Sequence, residues 1–153
     1  MTTYNNPGGP IRPAPLRSGG PPSKSVEYYV NKHINPELVD EIAESQAKEL
    51  LDIAPTQLRR FYEDVLTLRR RLEVAAGQAQ LTPAAAFDAL RVDFKMLKAK
   101  AHYAVARNLR LKPLKTFFDL HVPKVTTAQD FHIFCKHFEA VIAFHKFFKE
   151  GDR

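Results

Sequence analysis

The sequence predicts an all-α fold, a compact bundle of about five helices. Apolar residues recur at intervals of three and four through most of the chain, as on one face of a helix. A cap residue followed by proline, a common helix start, occurs at Asn35-Pro36 and again at Thr82-Pro83. Signals for strands are nearly absent, because there is no sustained alternation of apolar and polar residues and no Asn-Gly or Asp-Gly turn.

The helices are delimited by cap residues and by helix breakers. In chain order they are predicted over 36–51, 56–77, 82–110 and 114–121, with a last helix beginning at 127. Thr56, Thr82 and Thr127 are the expected N-cap residues. Asp130 lies three residues after Thr127, which makes a near capping box.

The first 25 residues differ in composition from the rest of the chain. They contain six of the eleven prolines, four of the six glycines, three basic residues and no acid. Such a segment buries too little apolar surface to offset the entropy lost on ordering. We therefore predict a disordered basic tail at 1–25, which either touches a polyanion loosely or is simply solvated. A single helical domain is predicted at 26–153.

The charge balance favours an acidic partner. The 153 residues include 23 Lys or Arg and 17 Asp or Glu, a formal net charge of +6, which favours nucleic acid first and a membrane surface second. No stretch resembles a signal peptide or approaches the ~20 apolar residues of a membrane helix. The single cysteine, Cys135, excludes an intramolecular disulfide. We expect a soluble, cytoplasmic protein without a membrane partner.

The densest cluster of cations lies in the third helix and just after it. Residues 91–115 contain eight Lys or Arg and one acid, Asp93. A projection at ~100° per residue places Phe94 at the centre of one apolar face, with Met96 and Tyr103 on the opposite side. Two apolar faces predict a central helix that is packed on both sides.

The cations of this helix lie on the two flanks between those faces. Lys100 and Arg107 share one flank, near Asp93, with which Arg107 is a candidate ion pair. The other flank carries a row at intervals of three and four: Arg91, Lys95, Lys98 and His102. Because adjacent like charges cost about a few tenths of a kcal/mol each, the row indicates that an external anion, such as backbone phosphate, offsets them. The alternatives are a solvated face or neutralisation by the acidic stretch 26–53.

The second helix repeats the pattern less cleanly. Arg59 and Arg70 project to one side, and a guanidinium can bond phosphate oxygens in pairs. Tyr62 and Tyr103 can stack on unpaired bases, although a packing role is the simpler interpretation of each. The candidate RNA-binding residues are Arg59, Arg70, Arg91, Lys95, Lys98, His102 and Arg107.

No motif indicates catalysis. The chain has neither a glycine-rich phosphate loop nor a nucleophile elbow. His132 and Cys135 have a spacing that suits a shared metal, but His137 points elsewhere and no further ligand completes a zinc site. His145 lies among phenylalanines and is predicted to be a packing histidine. We expect no enzyme activity, no metal and no cofactor.

Three stretches together resemble a known family. They are APTQLRRFYEDV (54–65), AHYAVARN (101–108) and FEAVIAFHKFF (138–148). In this order they resemble the small subunit of type III-A CRISPR interference complexes, the small Csm family, over roughly residues 36–148. The resemblance implies a small, non-catalytic helical protein. It also implies that copies stack into a minor filament and line the channel that holds the crRNA and its target RNA.

The resemblance carries over only to positions that match the family's motifs. These positions are Gln57, Arg59, Tyr103, Arg107, Glu139, His145 and Lys146. The implied partners are crRNA, target RNA and the other subunits of the effector complex. Self-association through surplus apolar surface is a further option. The alternative hypothesis is a helical protein–protein adaptor without direct RNA binding, which the phenylalanine-rich last helix suggests.

Overall fold

The computed structural model describes residues 26–78 and 81–151. Most of these residues lie in five α-helices, so the all-α prediction is confirmed. In chain order, the elements are β1 (Tyr29–Val30), β2 (His33–Ile34), α1 (Glu41–Glu49), α2 (Pro55–Gly77), α3 (Pro83–Arg107), α4 (Lys112–His121) and α5 (Ala128–Gly151). Single turns of 3-10 helix lie at Pro36–Val39, Leu109–Leu111 and Val122–Lys124. The tail predicted at 1–25 lies outside the described residues.

The core is built around α5, which lies against α1, α2 and α3. Helix α3 packs in turn between α2 and α4. Seven phenylalanines are buried among these helices: Phe87, Phe94, Phe117, Phe118, Phe131, Phe134 and Phe138. Their rings meet at tilted or edge-on angles, as in the 5.6 Å contact between the ring centroids of Phe94 and Phe134. Helix α5, rather than α3, is therefore the centre of the bundle.

The prediction that α3 is packed on both faces is wrong. The face through Phe94 is buried, but Val92, Met96 and Tyr103 on the opposite face are 73%, 50% and 65% exposed. Among residues 26–78 and 81–151, no other element covers that face. Helical periodicity shows which residues share a face, but it does not show how many neighbours the fold supplies.

Two predicted caps outside α5 are confirmed. The side-chain oxygen of Asn35 accepts a hydrogen bond of 3.1 Å from the N–H of Glu37. Thr82 Oγ1 accepts one of 3.2 Å from the N–H of Ala85 at the start of α3. These bonds satisfy backbone donors that have no partner within the helix.

Several predicted helix boundaries differ from the structure by a few residues, and the first predicted helix is divided. Helix α2 begins at Pro55 with Ala54 as its N-cap, so Thr56 is not the cap. Proline suits this position because the N–H that it lacks would be unbonded in a first turn. Helix α3 ends at Arg107 rather than near residue 110. The first predicted helix is divided at Asp40, whose φ of −123° and ψ of −110° lie outside the helical region.

A short hairpin, which the sequence patterns do not indicate, precedes α1. Tyr29 pairs with Ile34, and Val30 pairs with His33. The turn between them is formed by Asn31 and Lys32, with φ values of 51° and 67°. Two positive φ values match the twist of a hairpin, but lysine seldom adopts them and the strands are too short to show a period.

Asp130 joins the start of α5 to this hairpin. Its carboxylate accepts hydrogen bonds from the N–H groups of Thr126 and Thr127, at 3.1 and 3.2 Å, and from the Tyr29 hydroxyl at 2.5 Å. Its own N–H donates to Thr127 Oγ1 at 3.1 Å, which confirms the capping box. Burial alone would raise the pKa of Asp130, but the hydrogen bonds from Tyr29 and Thr126 hold it below its usual range.

We expect Asp130→Ala to lower the free energy of unfolding by about 2–3 kcal/mol, because the buried donors lose a charged acceptor. Urea unfolding followed by circular dichroism measures the loss. Glu139→Ala, on the exposed side of the same helix, is the control and should change the stability by less than about 0.5 kcal/mol. Equal losses in the two variants would contradict the assigned role of Asp130.

Candidate nucleic-acid interface

The flank of α3 that faces α4 carries the predicted row of basic residues. We call Arg91, Lys95, Lys98 and His102 the basic row. Their spacing places them along one side of α3 over about 16 Å, at 1.5 Å per residue. The structure therefore brings these four predicted site residues together, as the helical pattern predicted.

One carboxylate meets the C-terminal half of the basic row. Asp119 on α4 lies 2.7 Å from His102 Nε2 and 3.9 Å from Lys98 Nζ, and it also accepts a hydrogen bond of 2.8 Å from Lys115. Burial would raise the pKa of Asp119, but the hydrogen bonds from His102 and Lys115 lower it. Asp119 is therefore ionised at neutral pH, and one negative charge is shared among three basic groups.

The N-terminal half of the basic row has no carboxylate partner in the part of the chain that the structure describes. Neither Arg91 nor Lys95 forms an ion pair with any residue that the structure describes. Within the described ranges, Arg91 Nε is the one buried side-chain nitrogen or oxygen without a hydrogen-bond partner. A buried donor without an acceptor costs about 1–3 kcal/mol, so Arg91 Nε is a local cost to stability.

The other flank of α3 is different, because its charges are paired with α2. Arg71 lies 2.9 Å from Asp93, and Lys100 lies 3.4 Å from Asp64. The suggested pair between Arg107 and Asp93 is therefore wrong. The Arg107 guanidinium instead lies 5.9 Å from the centroid of the Tyr103 ring.

The acidic stretch 26–53 does not neutralise the basic row in the described structure. The basic row forms its ion pairs with Asp119. Within the acidic stretch, Glu44 forms a local ion pair with Lys48.

Arg59 and Arg70 are exposed on α2 but do not join the basic row. Arg59 lines a cleft of about 250 Å³ between the start of α2 and the last turns of α5, together with Lys146 and Lys149. Arg70 lies eleven residues further along α2, about 16 Å away. The seven predicted residues thus lie in several separate places. Sequence reasoning missed Lys149, whose only signal was its nearness to the family-like segment that includes Lys146.

The two tyrosines have different environments. Tyr62 is half-buried and meets Phe138 edge-on, with 5.4 Å between ring centroids. Tyr103 is mostly exposed. The packing interpretation is confirmed for Tyr62, whereas the Tyr103 ring remains accessible on one side of α3.

Two of the remaining candidate groups for chemistry, His145 and Cys135, are buried. His145 Nε2 lies 3.1 Å from the carbonyl oxygens of both Leu50 and Ile53, which confirms the predicted packing role. Burial raises the pKa of the Cys135 thiol to about 12, so the thiolate is not formed at neutral pH. Among residues 26–78 and 81–151, no group of three His, Cys, Asp or Glu side chains could hold a metal ion.

No helix among the described residues is long and apolar enough to cross a bilayer.

The chain matches a model of a known protein family. The family model described as Csm2 Type III-A matches residues 33–151, which is most of the chain and includes all three family-like stretches. No curated protein and no solved structure matches the chain. The match confirms the resemblance drawn from the sequence. The chain therefore belongs to the Csm2 family and is a small structural subunit of a type III-A CRISPR complex.

Proposed function

We propose that this chain is a non-catalytic, cytoplasmic subunit that contacts the backbone of crRNA and target RNA in the minor filament of the complex. The observation that carries the proposal is the basic row on α3. Four basic residues on one side of a helix meet a single acid in the described structure, and Arg91 and Lys95 meet none. Such a surface attracts a polyanion.

The basic row suits phosphate groups rather than bases. Lysine offers a mobile point charge and arginine a planar fork, and both bind phosphate oxygens without reading sequence. A subunit that serves every guide sequence needs contacts of this kind, because base pairing between guide and target supplies the specificity. The cleft with Arg59, Lys146 and Lys149 is a weaker second place for a phosphate on the same polyanion, because Glu150 also lines it and lies 4.0 Å from Lys146.

We expect Lys95→Glu to weaken RNA binding by roughly 10-fold and to reduce the slope of log affinity against log salt by about one. The change removes one attractive charge and adds a repulsive one beside Arg91. Fluorescence anisotropy with two unrelated RNA sequences at several salt concentrations measures both effects. The two sequences should bind alike.

The control is Lys32→Glu, which makes the same charge change at an exposed lysine in the hairpin turn. It should weaken binding far less than Lys95→Glu. Equal effects of the two variants would mean that only the net charge of the protein matters. A strong preference for one of the two RNA sequences would count against backbone recognition.

One argument for the adaptor hypothesis, the phenylalanine-rich last helix, is weaker in the described structure, and a second argument supports the hypothesis. Three of the six phenylalanines of α5 are buried in the core, and Phe144 and Phe148 are partly buried against it. Phe147 is 69% exposed. The exposed apolar face of α3, however, is suited to a protein contact. Charge reversal of Lys95 and Lys98 separates the two functions. If assembly of the complex fails while the RNA affinity of the free subunit is unchanged, the adaptor hypothesis is correct.

A further inference from the structure

An apolar groove lies between the hairpin, the 3-10 turn at Pro36–Val39 and the first half of α5. Its volume is about 270 Å³. Of its apolar lining residues, Leu38 and Ile133 are buried. Ile34 and Val39 are 52% and 47% exposed. The groove is smaller than the ~300–1,000 Å³ of most small-molecule sites, so it suits one or two apolar side chains of a peptide segment.

The outer edge of β2 borders this groove. The N–H of Asn35 donates a hydrogen bond of 2.9 Å to the carbonyl oxygen of Tyr28. In an antiparallel hairpin the next pair, Tyr29 and Ile34, then has its backbone groups turned outward. The N–H and C=O of Ile34 therefore point away from β1, and no hydrogen bond joins them to another described residue. An unpaired strand edge of this kind can accept an added strand.

The ionisable groups that line the groove lie on α5 and are basic. They are His132 and Lys136, both exposed and one helical turn apart, and the lining contains no Asp or Glu. Lys136 forms no ion pair with any residue in 26–78 or 81–151. Glu37 and Asp40 are close in sequence to the 3-10 turn but do not line the groove. A carboxylate next to an apolar side chain therefore complements this surface.

Neither the N-terminal segment of the chain nor a second hairpin matches the groove. Residues 1–25 include three basic residues and no acid, so they bring no carboxylate to Lys136. A second copy that paired edge to edge through β2 would bring Lys32 and His33 close to the same residues of the first copy. Like charges on adjacent strands repel each other. The complementary segment therefore belongs to a different protein.

We propose that the groove binds an extended acidic segment of another protein, which adds to the edge of β2 as a third strand. The main chain of the segment bonds the N–H and C=O of Ile34, and one of its apolar side chains packs on Leu38 and Ile133. Alternate residues of a strand face the same side, so an acidic residue two positions away faces Lys136. This contact is separate from the proposed RNA contact, because no residue of the basic row lines the groove.

Selection of a random heptapeptide library, displayed on phage, against the full chain tests the chemistry of the occupant. Enriched peptides should combine an apolar residue with an acid two positions away. The comparison is Ile34→Pro, which removes the outward N–H but none of the bonds between β1 and β2. Circular dichroism checks that this variant is folded. Enrichment of basic peptides, or equal enrichment on the parent chain and on Ile34→Pro, overturns the proposal.

Fluorescence anisotropy with a synthetic copy of an enriched peptide tests the charge contact. Lys136→Glu should weaken binding about 10-fold, and replacement of the acid of the peptide by lysine should restore it. Damage to the fold would not be rescued in this way. The control is Lys112→Glu, the same change at an exposed lysine outside the groove, which should bind like the parent chain. Equal effects of the two variants would contradict the assigned site.

Two further measurements separate the other occupants. A synthetic peptide with the sequence of residues 1–25 should not displace the enriched peptide, and Ile34→Pro should leave the sedimentation of the chain unchanged. Displacement would assign the groove to the N-terminal segment of the chain itself. A change in sedimentation would assign the edge of β2 to a second copy. Either result overturns the proposal.

Discussion

As the pH falls from 6.5 to about 4, the free energy of unfolding is expected to decrease by about 3 kcal/mol on account of His137 alone. Burial lowers the pKa of this imidazole from 6.5 to about 4 in the folded protein. Between these values the unfolded chain binds a proton that the folded chain does not. Stability from this group is therefore complete above pH 6.5 and is lost progressively below it. Burial also holds the pKa of His121 well below its usual range, so its effect has the same sign.

Both nitrogens of His137 face hydrogen-bond acceptors, so burial, and not its partners, is what favours the neutral ring. Gln46 Oε1 lies 2.7 Å from His137 Nε2 and 2.9 Å from His121 Nε2. His137 Nδ1 faces the carbonyl oxygen of Leu38, and His121 Nδ1 lies 2.8 Å from the Tyr28 hydroxyl. The ring of His121 donates from Nε2 to Gln46 Oε1 and accepts at Nδ1 from the Tyr28 hydroxyl, so it is satisfied in the neutral form.

Urea unfolding at a series of pH values measures this effect as a slope, about 1.4 kcal/mol per pH unit for each histidine. His137→Gln should reduce the slope, whatever its effect on stability at neutral pH. His132→Gln changes an exposed histidine on the same helix and is the control. If His137→Gln has the same slope as the parent protein, the buried imidazole is not the source of the acid sensitivity.

Phe134→Ala is expected to lower the free energy of unfolding by about 3–5 kcal/mol, because it opens a cavity in the middle of the core. The Phe134 ring is fully buried, and its centroid lies within 5.8 Å of the rings of Phe94, His121 and Phe138. Its removal leaves the atoms of these rings without partners on one side. A loss of this size is a large part of the ~5–15 kcal/mol that holds a typical domain folded.

Thermal and urea unfolding measure the loss, with two further variants for comparison. Phe134→Leu keeps most of the volume and should cost less than Phe134→Ala. Phe147→Ala removes an equal number of atoms from an exposed ring and should cost less than about 1 kcal/mol. The assigned position of Phe134 is wrong if the alanine variants at 134 and 147 are equally stable.

Local patterns predicted those features of the fold that depend on neighbours along the chain. The buried face of α3 through Phe94 and the cap at Thr82 follow from spacing and from hydrogen bonds within four residues. The reciprocal cap of Thr127 and Asp130 is local in the same way. The two-residue strands of the hairpin were missed because they have no period and their turn contains lysine at a positive φ.

Features that depend on distant residues could not be predicted in this way. The Asp93 partner is Arg71, which is 22 residues away, rather than Arg107 on the same helix. The Gln46 amide connects histidines from α4 and α5 that are 75 and 91 residues away from it. No periodicity relates such pairs, because their distances are set only when the helices pack.

By itself, the sequence determined the helical class, the basic balance, the family to which the chain belongs and the side of α3 on which the basic row lies. These properties are carried by composition and by spacing within single helices. Only the tertiary structure decided that Asp119 meets Lys98 and His102 while Arg91 and Lys95 have no described partner. It also decided that the second apolar face of α3 is open rather than packed. Both outcomes depend on where α4 and α5 lie against α3, and that arrangement is set by the packing of the whole core.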